Sequence, residues 1–78
     1  MIYSFLQNGD SAVTVQFQNE ISKEVNSQVT ALCDRLEAKR IDGVIELVPT
    51  FASLTVFYDC SVISSKKLKK KIEALIRD

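Results

Sequence analysis

One change of rhythm limits what this chain can fold into. From Ala12 to Phe17, Val13, Val15 and Phe17 alternate with Ala12, Thr14 and Gln16. A period of two belongs to a strand with one buried face. The spacing then changes, and Ile21, Val25, Val29, Leu32 and Leu36 recur at steps of four, four, three and four. That spacing lines one side of a helix of about five turns, with Cys33 beside the stripe and polar residues opposite. Ser22 is the natural N-cap, and Glu24 falls in the first turn, where the helix dipole favours negative charge. Lys39 and Arg40 fall in the last turn, where positive charge is favoured. Asp42-Gly43 stops the helix, with Gly43 available for a left-handed conformation.

The same order recurs downstream without any repeat of sequence. Val44 to Val48 and Leu54 to Tyr58 read as the third and fourth strands, and the break from Pro49 to Ser53 as a hairpin connection. Proline has no amide proton to give to a ladder, so Pro49 ends a strand rather than interrupting one. Ser64 or Ser65 caps a second helix whose apolar stripe is Leu68, Ile72, Leu75 and Ile76. Upstream, Ile2 to Gln7 is rich in strand formers, and Asn8-Gly9-Asp10-Ser11 is strong turn chemistry. Residues 2 to 17 therefore make a first hairpin. The order is ββαββα. The expected fold is an α+β two-layer sandwich: a four-stranded, largely antiparallel sheet with two helices on one face.

With 78 residues, 46% of them hydrophobic, residues 1–78 are expected to form a single domain. A domain this short hides only roughly 60% of its unfolded surface, so it leans on a neighbour, a partner or well-made caps. The second helix runs to Asp78 without a stop signal, and the expectation is a piece of a longer protein.

The residues exclude more chemistry than they offer. There is no histidine, and the two cysteines, Cys33 and Cys60, are far apart with no metal-ligand spacing. They read as ordinary thiols of a reduced, intracellular protein. The first seven residues lack the basic start and long apolar run of a signal peptide, and no run reaches membrane-spanning length. A cytoplasmic location and no membrane partner are expected. Cys33 lacks the usual base of a nucleophile and is expected to pack against the core. The Gly9-Asp10-Ser11 turn is not a P-loop, since no Gly-Lys-Ser/Thr follows and no helix starts there. The spacing of Asp10, Glu46 and Asp59 does not pair carboxylates for acid–base work. No catalytic, cofactor-binding or metal-binding residue is expected in this domain.

The net charge is zero but uneven. Residues 1–59 carry four Lys/Arg against eight Asp/Glu, a net −4, and residues 60–78 carry six against two, a net +4. The basic excess is Lys66, Lys67, Lys69, Lys70 and Lys71. A basic stripe on a helix is the footprint of a nucleic-acid-binding domain. Here no aromatic residue interrupts the run, and the rest of the chain is negative. A solvated helix face, or docking of an acidic partner, fits better. Lysines in a first turn also oppose the helix dipole.

Two helices can cover only one face of the sheet. Leu54, Val56 and Tyr58 are expected to face them. Ala12, Thr14, Gln16, Val44, Glu46, Val48, Thr55 and Phe57 then form the outer face. There Val44, Val48 and Phe57 are the candidate partner-binding patch; the alternative is scattered exposure of single apolar residues.

Three stretches resemble a known family. Residues 9–17 (GDSAVTVQF), 20–32 (EISKEVNSQVTAL) and 43–59 (GVIELVPTFASLTVFYD) are similar to the N-terminal domain shared by the B-type subunit of 5-oxoprolinase, the sporulation histidine-kinase inhibitor KipI and allophanate hydrolase subunit 1. The pattern positions are Gly9, Asp10, Ser11, Gly43, Pro49, Ser53, Tyr58 and Asp59, with Asn26 on the first helix; the lysine run lies outside the pattern. The resemblance implies roughly the first third of a longer protein whose remainder is a cyclophilin-like β-domain. It implies two modes of action. As an oxoprolinase subunit, such a protein joins two others that together hydrolyse 5-oxoproline to glutamate with ATP. As an inhibitor, it binds the dimerisation and phosphotransfer bundle of a sensor histidine kinase and blocks autophosphorylation. ATP is implied for the whole complex only, and no catalytic residue is implied here. The partners implied are the chain's own C-terminal domain, other oxoprolinase subunits, or a sensor kinase. A basic nucleic-acid-binding domain is the third and weakest reading.

Overall fold

A computed structural model describes residues 3–17 and 23–77. The elements are β1 (Ser4–Gln7), β2 (Ala12–Gln16), α1 (Lys23–Lys39), β3 (Val44–Pro49), β4 (Ser53–Tyr58) and α2 (Ser65–Arg77). This is the ββαββα order read from the sequence. Ile2, Ile21, the Ser22 cap and the end at Asp78 lie outside the described residues.

The four strands form one antiparallel sheet in the order β1-β2-β4-β3. The two hairpins thus meet through their second strands, β2 and β4. These central strands carry the most strictly alternating apolar residues. Val13 pairs with Val56 and Val15 with Leu54, and all four side chains are fully buried. A β-branched pair such as Val13 with Val56 fits the pleated surface of a central ladder well. Against this face α1 packs Val25, Val29, Leu32 and Leu36, and α2 packs Leu68 and Ile72; Phe17, Tyr58 and Ile63 complete the core.

The helix ends show which local signals operate. Ser64 is the cap of α2: its Oγ accepts the Lys67 amide at 3.2 Å. α1 ends at Lys39, so Arg40 stands beyond the last turn rather than in it. Arg40, not Gly43, takes the left-handed position that terminates α1, with φ 49°. Its amide donates to the Leu36 carbonyl at 3.2 Å. Gly43, with φ 96°, instead turns the chain into β3. A Cβ there would lie 2.6 Å from Ile63 Cγ2 and 3.2 Å from Val62 Cβ. Gly43 is therefore required twice, by its dihedral and by the close approach of the loop after β4. The helices are tied together where Arg35 Nη1 donates to the Leu75 carbonyl at 2.7 Å, satisfying a group left over in the last turn of α2.

The β3–β4 connection is tighter than the sequence implies. Pro49 and Ser53 both belong to strands, leaving residues 50–52 as the loop. The Thr50 amide donates to the Ser53 carbonyl at 2.8 Å, and the two hydroxyls meet at 2.6 Å. Pro49 sits at the last position of the edge strand β3, where a missing amide proton costs least.

Candidate functional site

β3 carries a bulge, and the bulge redraws the outer face. Val44 pairs with Tyr58, but the next pair is Glu46 with Phe57, so Ile45 is the extra residue. Val44 therefore shares the side of Tyr58 and packs against the core. Simple alternation had placed it outside. A bulge shifts the side-chain parity of everything beyond it. Ile45 is thrown outward at the sheet edge, 70% exposed.

The outer face is read from the cross-strand partners. Leu6, Thr14, Thr55 and Val48 form one row across all four strands, and Ala12, Phe57 and Glu46 form the next. Phe57 and Val48 are each 37% exposed. Ala12 has its expected parity yet is buried. Sequence reading missed Leu6, which lies opposite Thr14 on this face and is 48% exposed. The register of the first hairpin was the signal that could have placed it. Between the apolar edges runs a polar seam. The Thr14 and Thr55 hydroxyls meet at 2.9 Å, and Asn8 Nδ2 donates to Thr14 Oγ1 at 2.6 Å. The result is a rigid, mixed surface with one large aromatic side chain.

Seven of the family-pattern residues separate into two groups, while Asn26 lies on α1. Pro49 and Ser53 hold the β3–β4 turn. Gly9, Ser11, Tyr58, Asp59 and Gly43 come together in one backbone network at the opposite end of the sheet. Gln7 Nε2 donates to the Gly9 carbonyl at 2.6 Å and to the Tyr58 hydroxyl at 3.0 Å. The Tyr58 amide donates to the Ser11 carbonyl at 2.9 Å, and the Asp59 amide to the Gly43 carbonyl at 2.7 Å. Asp59 turns its carboxylate onto the Ser61 amide and hydroxyl, at 2.9 and 2.6 Å. Those bonds hold its pKa below the ordinary aspartate value. Asp10 is exposed in the first hairpin. This end does not fit nucleotide phosphates. The Gly9-Asp10-Ser11 turn leads into β2 rather than a helix, so it presents no helix N-terminus to a phosphate.

Two further groups, Cys33 and Tyr3, have shifted pKa values. Burial pushes the Cys33 thiol up, and Glu37 and Asp34 beside it add to the effect. A thiolate is disfavoured there, which opposes nucleophilic use. Cys60 is exposed. Tyr3 donates to Glu73 Oε2 at 3.1 Å, and its pKa is raised first by desolvation and then by that carboxylate. Among the described residues no cluster of His, Cys, Asp or Glu could hold a metal ion, and no helix is long and apolar enough to cross a membrane. The lysine run does not act as one unit. Lys69 Nζ lies 6.0 Å over the Phe5 ring, while Lys66, Lys67, Lys70 and Lys71 are exposed.

Fold and surface together define a small α+β scaffold in which most pattern residues hold its own strand ends and turns and one side of the sheet is left uncovered by the described residues. Its family is that of the carboxyltransferase domain, subdomain C and D, to which the chain belongs: the match runs over residues 3–78. The chain is 46% identical over 57 residues to the B-type subunit of 5-oxoprolinase from Bacillus subtilis (strain 168), covering 73% of this chain and 24% of that protein. It is 34% identical to the N-terminal domain of the histidine kinase inhibitor KipI from Bacillus subtilis, with a TM-score of 0.81 over 97% of this chain and 85% of that one. A conserved uncharacterised protein from Pyrococcus horikoshii shares 31% identity and a TM-score of 0.87, over 95% of this chain and 34% of its own. The chain thus spans about a quarter of the curated relative it matches. The relationship implied by the three sequence stretches holds.

Proposed function

We propose that this chain is the non-catalytic N-terminal interaction domain of a protein like the B-type subunit of 5-oxoprolinase. Its cytoplasmic complex would hydrolyse 5-oxoproline to glutamate with ATP. The rest of the protein would be the cyclophilin-like domain that the family pattern implies. The outer sheet face then docks the remainder of its own polypeptide or another subunit. The observation that carries this reading is the placement of Phe57. It is the large aromatic of the outer face, on a central strand, beside a small Ala12 and diagonal to Val48. Aromatic anchors on rigid elements are what interfaces use most effectively. The division of labour is chemical. This domain has no histidine, its Cys33 thiol resists ionisation, and Asp59 is committed to Ser61. ATP handling and amide hydrolysis would fall to the other subunits.

The test is turnover by the 78-residue chain alone, with 5-oxoproline and ATP. The expected outcome is none, and measurable glutamate release would overturn the reading. Addition of the partner subunits to the full-length protein should restore activity, and Phe57→Glu in that protein should weaken the assembly.

A second reading has its own support. The likeness to the KipI domain extends over nearly the whole of both chains. The same outer face would then meet the helical bundle of a sensor histidine kinase. Co-purification with the full-length protein separates the two: amidohydrolase subunits support the first reading, and a sensor kinase supports the second.

A further inference from the structure

The lysine run is split by the fold, and one part of it acquires neighbours that the sequence keeps far away. Lys67 and Lys71, one turn apart on α2, share a cleft with Lys39 and Arg40 at the end of α1. Its apolar wall includes Ile41 and Val62, the latter 58% exposed. None of the four cations has an acidic partner within ion-pair distance among the described residues, where the ion pair is Arg77 with Glu73. α2 has no acidic residue in its first turn, so Lys67 faces the positive end of its own helix dipole uncompensated. Arg40 adds a second local cost. A left-handed helix terminus is cheapest with glycine or asparagine, yet an arginine occupies it and adds its charge to the cleft.

We infer that this cleft docks an acidic segment of a protein partner, with carboxylates meeting Lys39, Arg40, Lys67 and Lys71 and an apolar side chain meeting Val62. Charge complementarity and the apolar wall select this occupant. A nucleic acid fits less well. No aromatic side chain lines the cleft for base stacking, whereas the exposed apolar Val62 beside the cations suits a peptide side chain. The surface is separate from the outer sheet face, so this inference does not depend on the function proposed above.

The test uses the 78-residue chain and a fluorescent peptide alternating Glu and Leu, followed by anisotropy and by amide NMR shifts. Saturable binding is expected, with shifts centred on residues 39–42, 62–63 and 67–71. The double variant Lys67→Glu, Lys71→Glu should weaken binding by about tenfold or more, because the cleft then repels the peptide. Arg40→Gly should weaken it by about threefold, while the melting temperature stays level or rises, since glycine relieves the left-handed position. That pairing separates lost recognition from lost folding. Equal affinity in all variants, shifts centred on Thr55 and Phe57 instead, absence of binding, or tighter binding of an oligonucleotide of equal charge would each overturn the inference.

Discussion

Val56 and Phe57 are neighbours in the chain and opposites in the fold. Val56 is fully buried and Phe57 is 37% exposed. The inner face of β4, with Leu54, Val56 and Tyr58, is sealed by two helices; the outer face, with Thr55 and Phe57, is covered by nothing among the described residues. The inner face carries most of the hydrophobic stabilisation. The outer face can therefore vary its side chains for recognition at little cost to folding, because surface changes commonly move stability by no more than about 0.5 kcal/mol.

The contrast is challenged most severely by putting the same charge on both faces. Val56→Glu buries an unpaired carboxylate against Val13 and Leu47. A cost of several kcal/mol is expected, enough to unfold a domain whose whole stability is about 5–15 kcal/mol. Circular dichroism should show no cooperative melt at room temperature.

Next in size is Gly43→Ala, which probes how tightly the inner layer is closed. The added methyl group meets Ile63, a core residue, and must also adopt a positive φ. A loss of about 2 kcal/mol or more is expected in urea unfolding. Gly9→Ala is the control. Its φ is 70° but nothing lies within 4 Å of the new methyl, so about 1 kcal/mol is expected. Equal losses at the two glycines would show that the approach to Ile63 is not a real constraint.

Phe57→Glu should leave the melting temperature within a few degrees of wild type. In the proposed interface its effect belongs to association, where loss of an aromatic anchor costs about 2 kcal/mol or more. Isothermal titration of the full-length protein against the partner subunits proposed above would measure it. If Phe57→Glu unfolds the chain while Val56→Glu is tolerated, the two faces have been assigned backwards.

The smallest effect is electrostatic and lies in the exposed turn after β4. The pKa of Asp59 is lowered by folding, so its contribution is complete above the unfolded-state pKa and is lost as pH falls through the folded value. Asp59→Asn keeps an acceptor for Ser61 but removes the charge. The variant should melt slightly below wild type at neutral pH, and the difference should vanish in acid. A difference that persists unchanged in acid would assign it to geometry rather than charge.

The element order, the two faces of β2 and β4, and the roles of Pro49 and of a serine cap on α2 were all legible in the linear order of residues. Those features follow from consecutive positions: a period of two or of about 3.6, a missing amide proton, a side-chain oxygen one turn from a free amide. Where Val44 points was not legible, because the Ile45 bulge exists only in relation to β4. Pairing likewise brought Leu6 into the outer face, and close approach to Ile63 gave Gly43 its second constraint. The basic cleft is the clearest case, since Lys39 and Arg40 reach Lys67 and Lys71 only when both helices pack on one sheet. Register, bulges and clefts are properties of pairs of segments, and periodicity along one segment carries no information about its partner.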